Sequence, residues 1–316
     1  ALLATFGLWL ITVLGQWFPE KSIFHYSEDL IGRWPGRLGS VLLILFFAIL
    51  SALAAREFGE VVVTAVLKKT PLEVIVIVML LLAAISSRND IATFSYMHQF
   101  YLPFILAPGL LIAFFSLKNA DPLYLQPIWG NQPPGFGKGV LTIAALFQGS
   151  FIMSILIPSM RRPEKAMRAS LSGMAVASGF YLLTVVATIA VFGPEETKQL
   201  LWPTLELARM TSLPANVLER LDAIFLIIWV TAVFTTLLSS YYLTIHAAGN
   251  LLRLRDHKMF AFFLLPFVFL MSMSIPNVLD LYVVIRIVGQ TGLILTVIYP
   301  LLLFVTASVQ KWRRTL

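Results

Sequence analysis

The chain has 316 residues, of which 59% are hydrophobic and 12% charged, with a mean hydropathy of +0.86. Soluble domains carry about twice that charge fraction, so the composition excludes a soluble globular domain and describes an all-α integral membrane protein. A net charge of +7 does not point to nucleic acid in such a protein, because Lys and Arg gather in its cytoplasmic loops. The absence of cysteine excludes disulfides and thiolate chemistry.

Nine apolar spans follow one another, at about 1–16, 38–66, 71–86, 91–116, 139–159, 167–192, 217–247, 258–274 and 279–307. No signal peptide is visible, and Ala1 already lies inside an apolar run without an initiator Met. The expectation is a further span upstream. The second and seventh spans are long enough to tilt or to project beyond the lipid. Between the first two, Ser22 to Trp34 places Glu28, Asp29 and Arg33 among Phe24, Tyr26, Leu30 and Ile31, the pattern of a helix lying at the interface. The connection from Ser116 to Gly139 is rich in Pro and Gly, and that from Pro194 to Pro214 reads as holding a short helix at about Glu195 to Met210.

Basic residues orient the chain. Arg161, Arg162, Lys165 and Arg168 form one group, Arg253, Arg255 and Lys258 a second, and Lys311, Arg313 and Arg314 a third. Two spans separate each group from the next, so all three share the cytoplasmic side and the C-terminus lies there. Lys68 and Lys69 fall outside in this scheme. Nine spans then put Ala1 outside, and an upstream tenth would give two halves of five. In a five-plus-five inverted repeat, residues 1–116 supply the second to fifth spans and residues 139–307 the sixth to tenth.

The stretch from Val140 to Pro158 is uncharged and long enough to cross a membrane, yet its middle reads Gln148-Gly149-Ser150. Glycine is a poor helix residue, and serine offers backbone groups a side-chain alternative. A break at the midplane would free backbone groups for a small molecule, as in transporter folds. The alternative is a continuous helix with a small-residue contact face. Phe147 and Phe151 flank the triplet; Ser51 in the second span and Trp229, Thr231, Thr235 and Thr236 in the seventh lie at similar depth. Together they could line one pocket, although lone hydroxyls mostly bond their own helix. No carboxylate sits at that depth, which suits a small neutral zwitterion better than a polyamine.

Charged residues inside spans are costly, and they are paired or functional. Arg56, Glu57 and Glu60 end the second span, Glu219, Arg220 and Asp222 begin the seventh, and Asp280 and Arg286 lie in the ninth. All fall toward the outer side. Arg56 reaches Glu60 at i,i+4. The cluster reads either as a structural salt-bridge network or as an outer gate or ion path. The four histidines, His25, His98, His246 and His257, show no metal spacing, and no cofactor is implied. No nucleophile–base pair or phosphate loop stands out, so the expected protein is not an enzyme.

The run Phe192-Gly193-Pro194, then Trp202-Pro203-Thr204-Leu205-Glu206-Leu207-Ala208-Arg209, then Leu218-Glu219-Arg220-Leu221-Asp222-Ala223-Ile224-Phe225 with Trp229, resembles the spore germination proteins that form the B subunit of Ger-type nutrient germinant receptors. Arg56-Glu57-Phe58, Thr70-Pro71-Leu72 and Gln126-Pro127-Ile128 fit the same family, and the resemblance covers nearly the whole chain. Asn89-Asp90-Ile91-Ala92-Thr93 departs from it, where a Gly, a Glu and then an Arg are usual. The resemblance implies ten spans, a fold similar to amino acid–polyamine–organocation (APC) transporters, and a place in the inner membrane of the bacterial spore. It implies A and C partner subunits and a germinant that is often an amino acid such as L-alanine. The other readings of the residues are an amino acid or polyamine permease and a channel-like scaffold.

Overall fold

The computed structural model describes residues 1–127, 135–211, 221–254 and 256–315, with side chains at all of these except 221–224 and 312–315. The described residues are mostly helical. In order they form α1 (Leu2–Trp17), α2 (Ile23–Ile31), α3 (Arg33–Ala65), α4 (Leu72–Ser86), α5 (Ile91–Ser116), α6 (Phe136–Ala145), α7 (Met153–Leu156), α8 (Ala166–Gln199), α9 (Pro203–Met210), α10 (Leu221–Leu251), α11 (Lys258–Met273), α12 (Val278–Leu293) and α13 (Tyr299–Thr315).

Five described helices are long and apolar enough to cross a membrane: Arg33–Ala65, Ile91–Asn119, Pro163–Gln199, Phe225–Leu251 and Val278–Lys311. A sixth crossing results if Phe136–Ala145 and Gln148–Ser159, bent by 43°, act as one span. This is a multi-pass membrane protein. The expected spans at 1–16, 71–86 and 258–274 correspond to apolar helices of 16, 15 and 16 residues, shorter than the roughly 20 residues that a straight crossing needs.

Two boundaries differ from expectation. The span expected at 167–192 continues as far as Gln199 through a kink at Gly193, whose φ of 75° belongs to the left-handed region that glycine enters freely. The short helix expected at 195–210 is divided. Its first part is the end of α8, and α9 starts afresh with Pro203 in its first turn, where a missing N–H costs nothing. The segment expected to lie at the interface forms α2, which buries Ile23, Phe24, Tyr26, Ser27 and Leu30 and stops at Gly32, φ 92°.

The chain forms two compact units. One comprises residues 1–95, 137–172 and 233–316. Within it α2 packs on α3, α3 on α4, α11 and α12, and α1 along α7 and α13. Glu28 of α2 faces Arg37 of α3 at 3.4 Å and Arg253, beyond α10, at 3.5 Å. The other unit comprises residues 96–136 and 173–232. Its apolar interior gathers Ala113, Ala187, Phe192 and Leu207, with Ile112, Ala208 and Ile228 in a second cluster.

Candidate functional site

The stretch Val140–Pro158 is not a continuous helix. The α-helix ends at Ala145, and residues Gln148–Ile152 form a 3₁₀ turn before α7. Short i→i+3 bonds carry the backbone across: Leu146 N–H donates to the Ile143 carbonyl at 3.2 Å, Phe147 to Ala144 at 3.2 Å and Ser150 to Phe147 at 2.9 Å. Phe147, at φ −97° and ψ 7°, lies in the bridge region. The break falls where the amide, glycine and hydroxyl stand together in the sequence, because those residues give the helix least reason to continue.

The broken segment is held from three sides within its unit. Gln148, buried, donates from Nε2 to the Gly289 carbonyl of α12 at 2.7 Å. Phe151 lies against Phe47 of α3, ring centroids 5.4 Å apart. Along α1, a Cβ at Gly15 would come within 2.7 Å of Ile157, and one at Gly7 within 3.0 Å of Val297. At Gly15 a side chain would force Ile157 to shift, and at Gly7 the fit is tight. Opposite the break, residues Ile294–Ile298 adopt a π-helical turn between α12 and α13. Such turns widen a helix locally and recur at functional sites.

Between the 3₁₀ turn, α1 and the π turn, Phe147, Gln148, Ser150, Phe151, Thr296 and Val297 contribute to a cavity of about 10 Å³. That is room for one water and not for an amino acid. The Gln148 Oε1 and Ser154 Oγ atoms are buried without a hydrogen-bond partner among the described residues. Gly149 is exposed, and a Cβ there would meet nothing within 4 Å. The site thus offers a free amide oxygen and an unobstructed glycine, with no formal charge among the cavity's lining residues.

The other predicted pocket residues are not among those lining this cavity. Ser51 Oγ lies 2.8 Å from the Phe47 carbonyl and 2.9 Å from Ser240 Oγ, tying α3 to α10. Thr235 is half-buried on α10, where its carbonyl accepts from Ser239 Oγ at 2.8 Å. Trp229 and Thr231 belong to the other unit, and Thr231 Oγ1 donates to the Ile227 carbonyl of its own helix at 2.8 Å.

The charged group is partly assembled. Arg56 Nη2 pairs with Glu60 Oε1 at 2.8 Å, both side chains largely buried, and Arg56 Nη1 lies 3.8 Å from Met273 Sδ. Glu57 points another way and accepts a hydrogen bond from Tyr282 of α12. Arg286 is exposed and forms no ion pair with a described residue. Asn277 caps α12: its Oδ1 accepts from the Asp280 backbone N–H at 2.9 Å, and its Nδ2 donates to Asp280 Oδ2 at 2.8 Å. Arg220, with Glu219, lies outside the described residues, as does the side chain of Asp222. Among the described residues no group of three or more His, Asp or Glu could hold a metal ion.

Sequence reasoning missed the π turn and the glycines that receive the break. The available signal was Gly289-Gln290-Thr291-Gly292, a second small and polar run inside an apolar span. A Cβ at Gly289 would lie 3.0 Å from that of Ala145, and one at Gly292 would collide with Phe46 and sit 2.9 Å from Gln148 Nε2.

A family model described as "Spore germination protein" (spore permease) matches residues 1–280. The chain belongs to this family. It is 27% identical to the Bacillus subtilis spore germination protein YndE over 99% of this chain and 85% of that protein. It is 24% identical to the B. subtilis spore germination protein A2 over 73% of this chain and 63% of the relative. For the B. subtilis spore germination protein KB the figures are 22%, 98% and 84%. The resemblance read from Gly193, the Trp202–Arg209 run and the Leu218–Phe225 run therefore stands at family level.

Proposed function

We propose that this protein is the B subunit of a nutrient germinant receptor. It binds a small germinant, an amino acid such as L-alanine, at the break between α6 and α7, and so triggers germination of the bacterial spore together with A and C subunits. The observation that carries this reading is the uncharged break itself, with the buried Gln148 oxygen unpaired beside it and open space at Gly149. A helix end offers N–H groups to a carboxylate, and carbonyl-type oxygens accept from an ammonium, so a zwitterion is satisfied without a protein charge. The cavity of about 10 Å³ must enlarge to admit it, so the response is a population shift toward a conformer that the germinant prefers.

The same reading takes the nine apolar segments as nine spans of a ten-span, five-plus-five inverted-repeat APC-type fold, with the C-terminus cytoplasmic and the chain in the inner spore membrane. Its role is recognition, not catalysis. The test is binding of L-alanine and a panel of amino acids to purified full-length protein, with Gly149→Leu as the control. Saturable binding lost in the variant supports the site, and binding unchanged by the variant removes it.

A secondary transporter for amino acids is the second reading. It is favoured by the same discontinuous span, the usual place for a transported substrate. Ligand flux into vesicles containing the purified protein separates the two, since a receptor gives binding without flux.

A further inference from the structure

A groove of about 480 Å³ lies where the C-terminal end of α1 meets α2 and α13, lined by Trp17, Phe18, Lys21, Asp29, Gln310 and Lys311 among others. Its position follows from the sequence. The α1 helix is apolar as far as Trp17, with Glu20 and Lys21 just beyond, and α13 is largely apolar as far as Val309, with Gln310 and Lys311 next. Both helices pass from apolar to polar at this groove, and that transition marks the headgroup level of a bilayer.

The groove is also built. Lys311 Nζ lies 5.0 Å from the centre of the Trp17 ring, and Gln310 Nε2 donates to the Leu30 carbonyl at 3.0 Å. Lys21 pairs with Asp29 at 2.6 Å, but both side chains are about half exposed, 53% and 54%. Such a pair is weak in water and can exchange its carboxylate for another anion. The charged residues of its lining are two lysines and one aspartate. From it an aromatic strip runs into the apolar zone: Trp17 on Phe304 at 5.2 Å, Phe304 on Trp9 at 5.5 Å, and Trp9 on Phe6 at 6.1 Å. Phe6 is exposed, and Trp9 and Phe304 are half-buried.

A soluble anion would use only the lysine end of this surface. We propose that the groove holds the headgroup of an anionic phospholipid, its phosphate between Lys21 and Lys311 and an acyl chain along Trp9 and Phe6. The lipid joins α1, α2 and α13, so membrane composition acts on α1, which packs against the broken segment.

The test uses purified full-length protein in mild detergent, incubated with phosphatidylglycerol, with phosphatidylcholine or with free glycerol 3-phosphate, and bound lipid counted by native mass spectrometry. Wild type is expected to retain phosphatidylglycerol in preference to phosphatidylcholine. Lys21→Gln and Lys311→Gln should each reduce that preference about fivefold, from about 1 kcal/mol per basic side chain, while Lys311→Arg keeps it. Trp9→Ala should weaken phosphatidylglycerol retention without changing the preference. Equal retention by wild type and the double Gln variant, with both eluting as folded protein, overturns the proposal. Displacement of the lipid by glycerol 3-phosphate at equal concentration overturns it too, since the site would then serve a soluble phosphate.

Discussion

Gln148 Nε2 donates to the Gly289 carbonyl at 2.7 Å across 141 residues of sequence, and the same side chain leaves its own Oε1 unpaired. One amide thus latches the broken segment to α12 and presents an acceptor at the break. Gln148→Met, close in volume, should cost less than about 1.5 kcal/mol of stability, because it removes an unpaired buried oxygen along with the bond. On the reading proposed above it should abolish the response to germinant. Thermal unfolding in detergent and a germination assay check the two halves separately.

Gly149 and Gly292 should behave oppositely. A side chain at Gly149 meets open space, so Gly149→Leu should leave the protein folded and in the membrane while blocking ligand. Gly292→Ala drives a methyl into Phe46 and toward Gln148 Nε2 and should destabilise by about 1–3 kcal/mol. Normal germination in the Gly149→Leu variant would remove the break as the ligand site.

The Arg56–Glu60 pair is largely buried, and Arg56 Nε has no further partner among the described residues. Glu60→Ala should therefore destabilise by about 3 kcal/mol or somewhat more by leaving a guanidinium uncompensated. The double change Arg56→Met with Glu60→Met should recover most of that loss. A conducting path predicts altered ion flux in the double variant, and a structural pair predicts none.

Ser51→Ala removes the contact with Ser240 and should cost about 1 kcal/mol. Ligand affinity should stay unchanged if the hydroxyl serves helix packing. A tenfold loss of affinity with unaltered unfolding would instead place Ser51 on the ligand.

His257 lies in the loop before α11, where burial holds its imidazole below the ordinary histidine range, with Lys258 acting in the same direction and Asp256 against it. The folded state then binds a proton less readily than the unfolded chain. Its contribution is fully present above about pH 6.5, the unfolded value, and fades as pH falls below that. The thermal midpoint should drop on acidification, and His257→Asn should flatten the drop.

Much of this was legible in the residues alone. Apolar runs mark helices, and each expected span overlaps a described helix or a bent pair of helices, with residues 217–220 of the seventh outside the described residues, because hydrophobic runs and backbone propensities act locally. The break was legible for the same reason: Gln148-Gly149-Ser150 is a poor helical sequence wherever it sits. The Arg56–Glu60 pair was likewise written in the i,i+4 spacing. The family could be recognised from Gly193 to Trp229.

Tertiary structure alone decided which surfaces meet. Gln148 with Gly289, Ser51 with Ser240, Glu28 with Arg37 and Arg253, and Gly15 with Ile157 join residues that no spacing rule connects. Packing also sent Glu57 to Tyr282, and it turned residues 294–298 into a π helix opposite the break. Helix existence follows from the free energy of each segment in lipid, whereas helix pairing depends on where small residues let backbones approach and where a buried polar atom finds its partner.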